Sequence, residues 1–158
     1  MQLNPLTRAR WTLRLFGLFK VPLIWTIGPK IIVLNDNECT VRIPLRYRTK
    51  NHQNSLYIGA LTVGADLACG LIGMYHIQAS GRDVSLIFKD LKVNFLKRSD
   101  THVDFICRDG NKIKQQVAEV IETGERRNLL VNITAYSRKN TVAEFVLSLS
   151  LKLKSSIK

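Results

Sequence analysis

Asp66 is the residue that most demands a chemical reason. It is the only charged residue between Tyr57 and Ala79, a stretch of helical length that is otherwise apolar, small or neutral. An ionised carboxylate in such surroundings is costly unless it is paired, and without a partner it is driven toward its neutral form. It must either be clamped by a hydroxyl or a cation, or serve as a general base or nucleophile in a cleft. A second feature lies at the start of the same stretch, at Tyr57, Ile58 and Gly59. There a helix leaves N–H groups unpaired and presents the positive end of its dipole. Such donors can hold the oxyanion that develops when a thioester or ester carbonyl is attacked. Seven or eight residues separate the two features, about 11 to 12 Å along a helix, too far for one subunit to bring both to one carbonyl. Two copies with these helices antiparallel about a twofold axis would set Asp66 of one beside the helix start of the other.

The elements around Asp66 must hold it in that position. Ala60, Gly64 and Ala68 fall at i, i+4 and i+8, with Gly59, Ala65, Gly70 and Gly73 close by, so the spacing predicts a helix over 57–79 built for close approach. A helix apolar on all sides is one that a sheet wraps. Its length would also cross a bilayer, but amphipathic strands flank it on both sides and would then have no core to cover. Lys30 to Leu34 and Cys39 to Tyr47 read as paired strands around the turn Asn35, Asp36, Asn37. In the second, Val41, Ile43, Leu45 and Tyr47 alternate with Arg42, Pro44, Arg46 and Arg48, which predicts one apolar and one basic face. Pro44 places this strand near an edge or at a bulge. From Val84 to Leu96 the apolar register changes, and a bulge is expected near Lys89 and Asp90. Thr101 to Cys107 is a strand turned by Asp109 and Gly110, after which Ile113, Val117, Val120 and Ile121 have helical spacing and Gly124 is the stop. Arg127 to Tyr136 and Thr141 to Leu153 form a hairpin around Ser137 to Asn140. An amphipathic helix over about 6–19, ended by Pro22, packs on the domain; Arg8, Arg10, Arg14 and Lys20 beside Trp11 and Phe16 also suit weak membrane-surface contact. The sum is one α+β domain over 1–158, a mainly antiparallel sheet around a long central helix, with Lys154 to Lys158 as a loose end.

The chain has 158 residues, 46% hydrophobic and 23% charged, which excludes disordered and fibrous classes. Twenty-four Lys and Arg against twelve Asp and Glu give +12 at pH 7, so an anionic partner is expected. Nucleic acid would rest on charge alone, without an aromatic-basic platform, and is not expected. Cys39, Cys69 and Cys107 are odd in number and widely spaced, which fits a reduced, cytoplasmic setting, with Cys69 a small core residue. His52, His76 and His102 are dispersed, so no metal site is expected, and His76 should line the end of the central helix. Arg14, Lys20 and Pro22 break the apolar run from Trp11 to Gly28, so neither a signal peptide nor a membrane span is expected there.

The order of elements, together with N-x5-Y-x-G-x6-D at Asn51, Tyr57, Gly59 and Asp66, resembles the hotdog fold. The chain is most similar to the phenylacetyl-CoA-type thioesterases and their domain-of-unknown-function relatives. The stretch KDLKVNFLK from Lys89 to Lys97 resembles those relatives too. The resemblance implies a dimer or tetramer that hydrolyses acyl-CoA or a related thioester, with coenzyme A as part of the substrate and no other cofactor. By position, Asp66 is the base or nucleophile, Asn51 places the water or the carbonyl, Ile58 and Gly59 donate the oxyanion N–H groups, and Ser85 is a weaker match to a water-holding residue. Tyr57 and His52 would border the substrate, with Arg82, Lys89, Lys97 and Arg98 near its phosphates, and Arg46, Arg48 and Lys50 also bordering the cleft mouth. Tyr57 and Ile58 replace the usual His-Gly, and Arg98 stands where relatives carry proline. The alternative is a non-catalytic acyl or lipid binder that uses the same tunnel. The remaining positive charge leaves an anionic membrane or an acyl-carrier protein as further partners.

Overall fold

The small-residue run folds as one long helix, and the rest of the chain is arranged to cover it. A computed structural model describes residues 5–154; of the expected loose end from Lys154 only Lys154 is described, and it is tied down, its N–H donating to Asp83 O at 2.9 Å, while the rest lies outside the described residues. In chain order the elements are α1 (Pro5–Phe19), α2 (Pro22–Ile27), β1 (Lys30–Leu34), β2 (Cys39–Ile43), α3 (Ile58–Ser80), β3 (Val84–Phe95), β4 (Val103–Cys107), α4 (Gly110–Thr123), β5 (Arg127–Ser137) and β6 (Asn140–Leu153). The six strands form one antiparallel sheet in the order β1-β2-β4-β5-β6-β3. α3 packs across its inner face, touching β2, β3, β4, β5 and β6. Although α3 has the length and hydropathy of a membrane span, it is the wrapped core helix that its flanking strands required.

Small side chains set how deeply α3 sinks into the sheet. Ala65, Ala68, Cys69 and Ile72 on the helix, and Val41, Phe105, Ile133, Phe145 and Leu147 on the strands, are fully buried. The Phe105 ring fills the space where a Cβ on Gly64 would stand. On β3 the register shifts between Phe88 and Asp90, leaving Lys89 as the extra residue of the expected bulge. Leu86 and Phe88 therefore face α3 before the bulge, and Leu91, Val93 and Phe95 share the face of Leu147, Phe145 and Ala143 after it.

Two expectations need correction. β2 ends at Ile43 rather than at Tyr47, and it lies beside the edge strand β1, near an edge. Pro44 has no N–H to give to a ladder, and the chain turns there. The turn is closed by Thr49, whose hydroxyl donates to Pro44 O at 2.6 Å and accepts from Arg46 N–H at 2.9 Å. Leu45 and Tyr47 therefore leave the strand, and the Tyr47 ring is 89% exposed. Of the expected basic face only Arg42 stays on the strand, in a bidentate pair with Asp104 on β4 at 2.6 and 2.7 Å. Pro22, expected as a stop, also begins α2, because the first helical residue has no intrahelical N–H bond to lose.

The wide sequence spacing of the cysteines hides their meeting in space. Cys39 pairs directly with Cys107 across β2 and β4, and Cys69 of α3 lies near enough to feel both. Burial pushes all three thiols up, that of Cys107 to about 11, so they are inert core groups. The β1–β2 turn ties down the far half of α3. Asp36 accepts from Tyr75 Oη at 2.9 Å and from Lys114 Nζ of α4 at 3.0 Å, while His76 Nε2 donates to Asp36 O at 3.0 Å. His76 thus lines the helix end as expected.

Gly64→Ala should destabilise the fold by about 1–3 kcal/mol, because the added methyl meets a ring that has nowhere to move. Thermal unfolding checks this. An unchanged Tm would mean that α3 does not rest on Phe105.

Candidate active site on the uncovered face of the central helix

One stripe of α3 escapes the sheet. Gly59, Thr62, Val63, Asp66 and Gly70 are only partly covered, and Met74 at the end of the same stripe is exposed. Asp66 sits in its middle. Among the described residues its carboxylate has no hydrogen bond and no ion pair, and burial alone pushes its pKa above the ordinary carboxylate value. The clamp that a merely structural acid would need is missing within the subunit. The hydroxyl one turn away, on Thr62, donates instead to Ile58 O at 3.0 Å.

β3 forms the wall beside this stripe. Gly73 packs against Leu86 and Gly70 against Phe88, so helix and strand run antiparallel. Going back one turn along α3 from Gly70 to Asp66 means going forward along β3 past the bulge, to Leu91 and Val93. Phe95, at the end of the strand, points to the inner side and meets Phe145 edge-on, yet it is 45% exposed. An inward-facing aromatic that stays uncovered marks an apolar wall with nothing packed against it from this subunit.

The start of α3 carries the expected free donors. Its first intrahelical bond runs from Leu61 N–H to Tyr57 O at 3.0 Å, and Tyr57 supplies no side-chain cap. The N–H groups of Ile58, Gly59 and Ala60 thus lack acceptors among the described residues. The Tyr57 ring curls back over Gly59, where a Cβ would stand 2.8 Å from Tyr57 Cε1. Gly59 and Asp66 lie on one side of the helix two turns apart, about 10 Å along its axis.

The structure brings three other expected residues to this end. Asn51, Lys97 and Arg98 line an open depression of about 350 Å³, together with Leu61 of α3 and Phe95 of β3. Asn51 Oδ1 is committed to its own loop, accepting from Gln53 N–H at 2.9 Å and Ser55 N–H at 3.0 Å, so only its Nδ2 remains to donate. Arg98 bonds Ser55 Oγ and Gln53 O, fastening the same loop. Lys97 Nζ reaches Asn140 Oδ1 at 3.1 Å. His52 and Lys89 are exposed. Ser85 and Arg82 are not part of this group within one subunit. Ser85 donates to Lys152 O at 3.1 Å and, next to the Leu86 that meets Gly73, lies about 20 Å along α3 from its start, while Arg82 follows the C-terminal end of the helix.

A family model described as "Domain of unknown function (DUF4442)" matches residues 9–151. The chain belongs to this family. No functionally curated protein matches the sequence. Among solved structures, the chain superposes on a thioesterase candidate from Shewanella oneidensis with a TM-score of 0.79 at 14% identity, over 94% of this chain and 99% of that one. It also superposes on a Pseudomonas aeruginosa protein of unknown function named a probable thioesterase, with a TM-score of 0.78 at 23% identity, over 96% of this chain and 97% of that one. A mutant of a second Pseudomonas aeruginosa thioesterase gives 0.68 at 14% identity, with 97% of each chain covered. The shared architecture is the hotdog fold.

For this DUF4442 domain, sequence reasoning missed the tie from Arg98 to the 51–55 loop. Its departure from the usual proline was visible, but the carbonyl and hydroxyl that it seeks are more than forty residues away. Leu61 was missed as a lining residue because nothing separates it in sequence from its buried neighbours.

The raised pKa of Asp66 has a stability consequence. The folded chain binds this proton more tightly than the unfolded chain, so the benefit is complete below the ordinary pKa of 3.8 and is lost as pH rises through the raised folded value. At neutral pH the ionised group is a net burden. Asp66→Asn should therefore raise Tm at pH 7 and bring no gain at strongly acid pH, read by calorimetry. A fall in Tm at pH 7 would show that the carboxylate has a partner this subunit does not supply.

Proposed function

We propose that this DUF4442 protein is a thioester hydrolase, acting on acyl-CoA or a related acyl thioester at a site shared between two subunits. The observation that carries the reading is the unpartnered, half-buried carboxylate of Asp66 beside an uncovered apolar wall. The apolar stripe suits an acyl chain, and an acid whose proton affinity is raised by burial suits a general base. In this reading Asp66 takes a proton from water as the water oxygen attacks the thioester carbon. The resulting oxyanion is held by the Ile58 and Gly59 N–H groups of the second subunit. The carbon–sulfur bond then breaks, and the thiolate leaves with the proton. Asn51, with only Nδ2 to give, donates to the carbonyl or to the water oxygen. Lys97, Lys89 and His52 are the groups left for phosphate contact, since Arg98 is already used in holding the loop.

The second subunit has a natural place. At one end of the sheet β1 is covered by α1, whose Arg10 Nε donates to Ile31 O at 3.0 Å. At the other end β3 offers a long edge with no neighbouring strand among the described residues. Pairing of two β3 edges about a twofold axis would continue the sheet and remove a site of indiscriminate association. The three reduced thiols suit the cytoplasm.

A second reading, acyl binding without hydrolysis, has one observation in its favour. The Tyr57 ring lies over Gly59, on the approach to the amides that an oxyanion would need.

A panel of acyl-CoAs should release free thiol, and Asp66→Asn should lower that rate roughly 10²- to 10⁴-fold. The wild-type rate should rise with pH through a value above the ordinary carboxylate range, since only the ionised base acts. Equal turnover by the variant removes Asp66 from the chemistry, and tight binding with no thiol release assigns the protein to the second reading. Sedimentation should give a dimer or tetramer, and a fully active monomer would rule out a shared site.

A further inference from the structure

α1 is apolar on the side that faces away from the protein. Its packing stripe is Leu6, Ala9, Leu13 and Gly17. The opposite side carries Trp11, Leu15 and Phe19, which are 55%, 52% and 73% exposed. A helix on the surface of a soluble domain ordinarily turns polar residues outward. α2 extends the same feature with Leu23 and Trp25, both at least half exposed, and the 44–49 turn adds the Tyr47 ring. More large apolar surface is left open here than anywhere else on the described chain, and this face lies at the β1 end of the sheet, remote from the free β3 edge.

Its charge identifies what covers it. No Asp or Glu precedes Asp36 in the sequence. Arg8, Arg14, Lys20, Arg46 and Arg48 are exposed around the apolar patch, and none forms an ion pair among the described residues; Arg14 lies over the Trp11 ring at 5.6 Å. Between α2 and the turn is an open depression of about 370 Å³ lined by Trp25, Gly28, Arg46, Tyr47 and Arg48. A second copy docked here about a twofold axis would set these cations against their own images. An acidic protein would meet the cations but has no general need for so many protruding rings. Aromatic side chains beside a ring of arginines fit the interface of an anionic bilayer, where rings sit at headgroup depth and guanidiniums bind phosphate.

We propose that α1, α2 and the 44–49 turn form a monotopic docking face for a membrane rich in acidic phospholipid, with Arg46 and Arg48 taking the headgroup phosphate. The site for acyl thioesters would then work beside a leaflet in which long acyl chains partition.

Both tryptophans of the chain, Trp11 and Trp25, lie on this face, so tryptophan emission, excited beyond the tyrosine band, reports it alone. Vesicles of phosphatidylglycerol with phosphatidylcholine should shift the emission to the blue and carry the full-length protein on flotation. Pure phosphatidylcholine should do neither, and added salt should weaken binding. Arg46→Glu with Arg48→Glu should weaken it roughly tenfold or more. Leu15→Ser with Phe19→Ser, at solvent-exposed positions, should abolish the shift while circular dichroism stays unchanged. The proposal is overturned if acidic vesicles give no shift or if neutral vesicles bind equally well. It is also overturned if the serine pair dissociates an oligomer without affecting vesicle binding, or if an acidic carrier protein shifts the emission while no vesicle does.

Discussion

The close contact of Gly64 with Phe105 governs the geometry of everything else. Because no side chain intervenes, α3 lies against the sheet at a depth that a larger residue would forbid, and the strands can touch it from β2 to β3. That depth decides which residues are sealed and which are left at the margin. Ala65, Ala68 and Ile72 are sealed, while Gly59, Asp66 and Gly70 stay on the half-covered stripe. The candidate site is the place where wrapping stops.

Asp66 shows the tension between packing and chemistry. A helix composed for burial gains nothing from a carboxylate, and the fold neither pairs it nor exposes it fully. Its surroundings make proton uptake easier, as a base requires, and they do so by desolvation rather than through any neighbouring charge. The loop from Asn51 to Ser55 is treated oppositely. Its polar groups are satisfied by Asn51 itself and by Arg98, so it is a rigid rim rather than a loose cover.

The positive charge is also divided by tertiary structure. Arg42, Arg127 and Lys114 answer acids within the domain, while Arg8, Arg14 and Lys20 form no ion pair among the described residues. A surplus already unopposed before Asp36 in the sequence becomes, with Arg46 and Arg48 brought beside it by the fold, a local field around the exposed aromatic face of α1 and α2.

Much of the architecture was legible in the sequence because it follows from periodicity. The small-residue spacing located α3, the register change in 84–96 located the bulge, Gly124 located the end of α4, and alternation from Phe145 to Leu153 gave the face of β6. The isolation of Asp66 was also visible, since it depends only on the absence of charge nearby in the chain. What tertiary structure decided were the relations between distant residues. Cys39 meets Cys107, Arg98 grips Ser55, Tyr47 leaves its strand after Pro44, and the outer face of α1 goes uncovered. A sequence pattern records which side chains favour burial and at what period. It does not record how much surface the neighbouring elements have to cover them, and that balance of area, settled only on folding, fixes where the protein remains open.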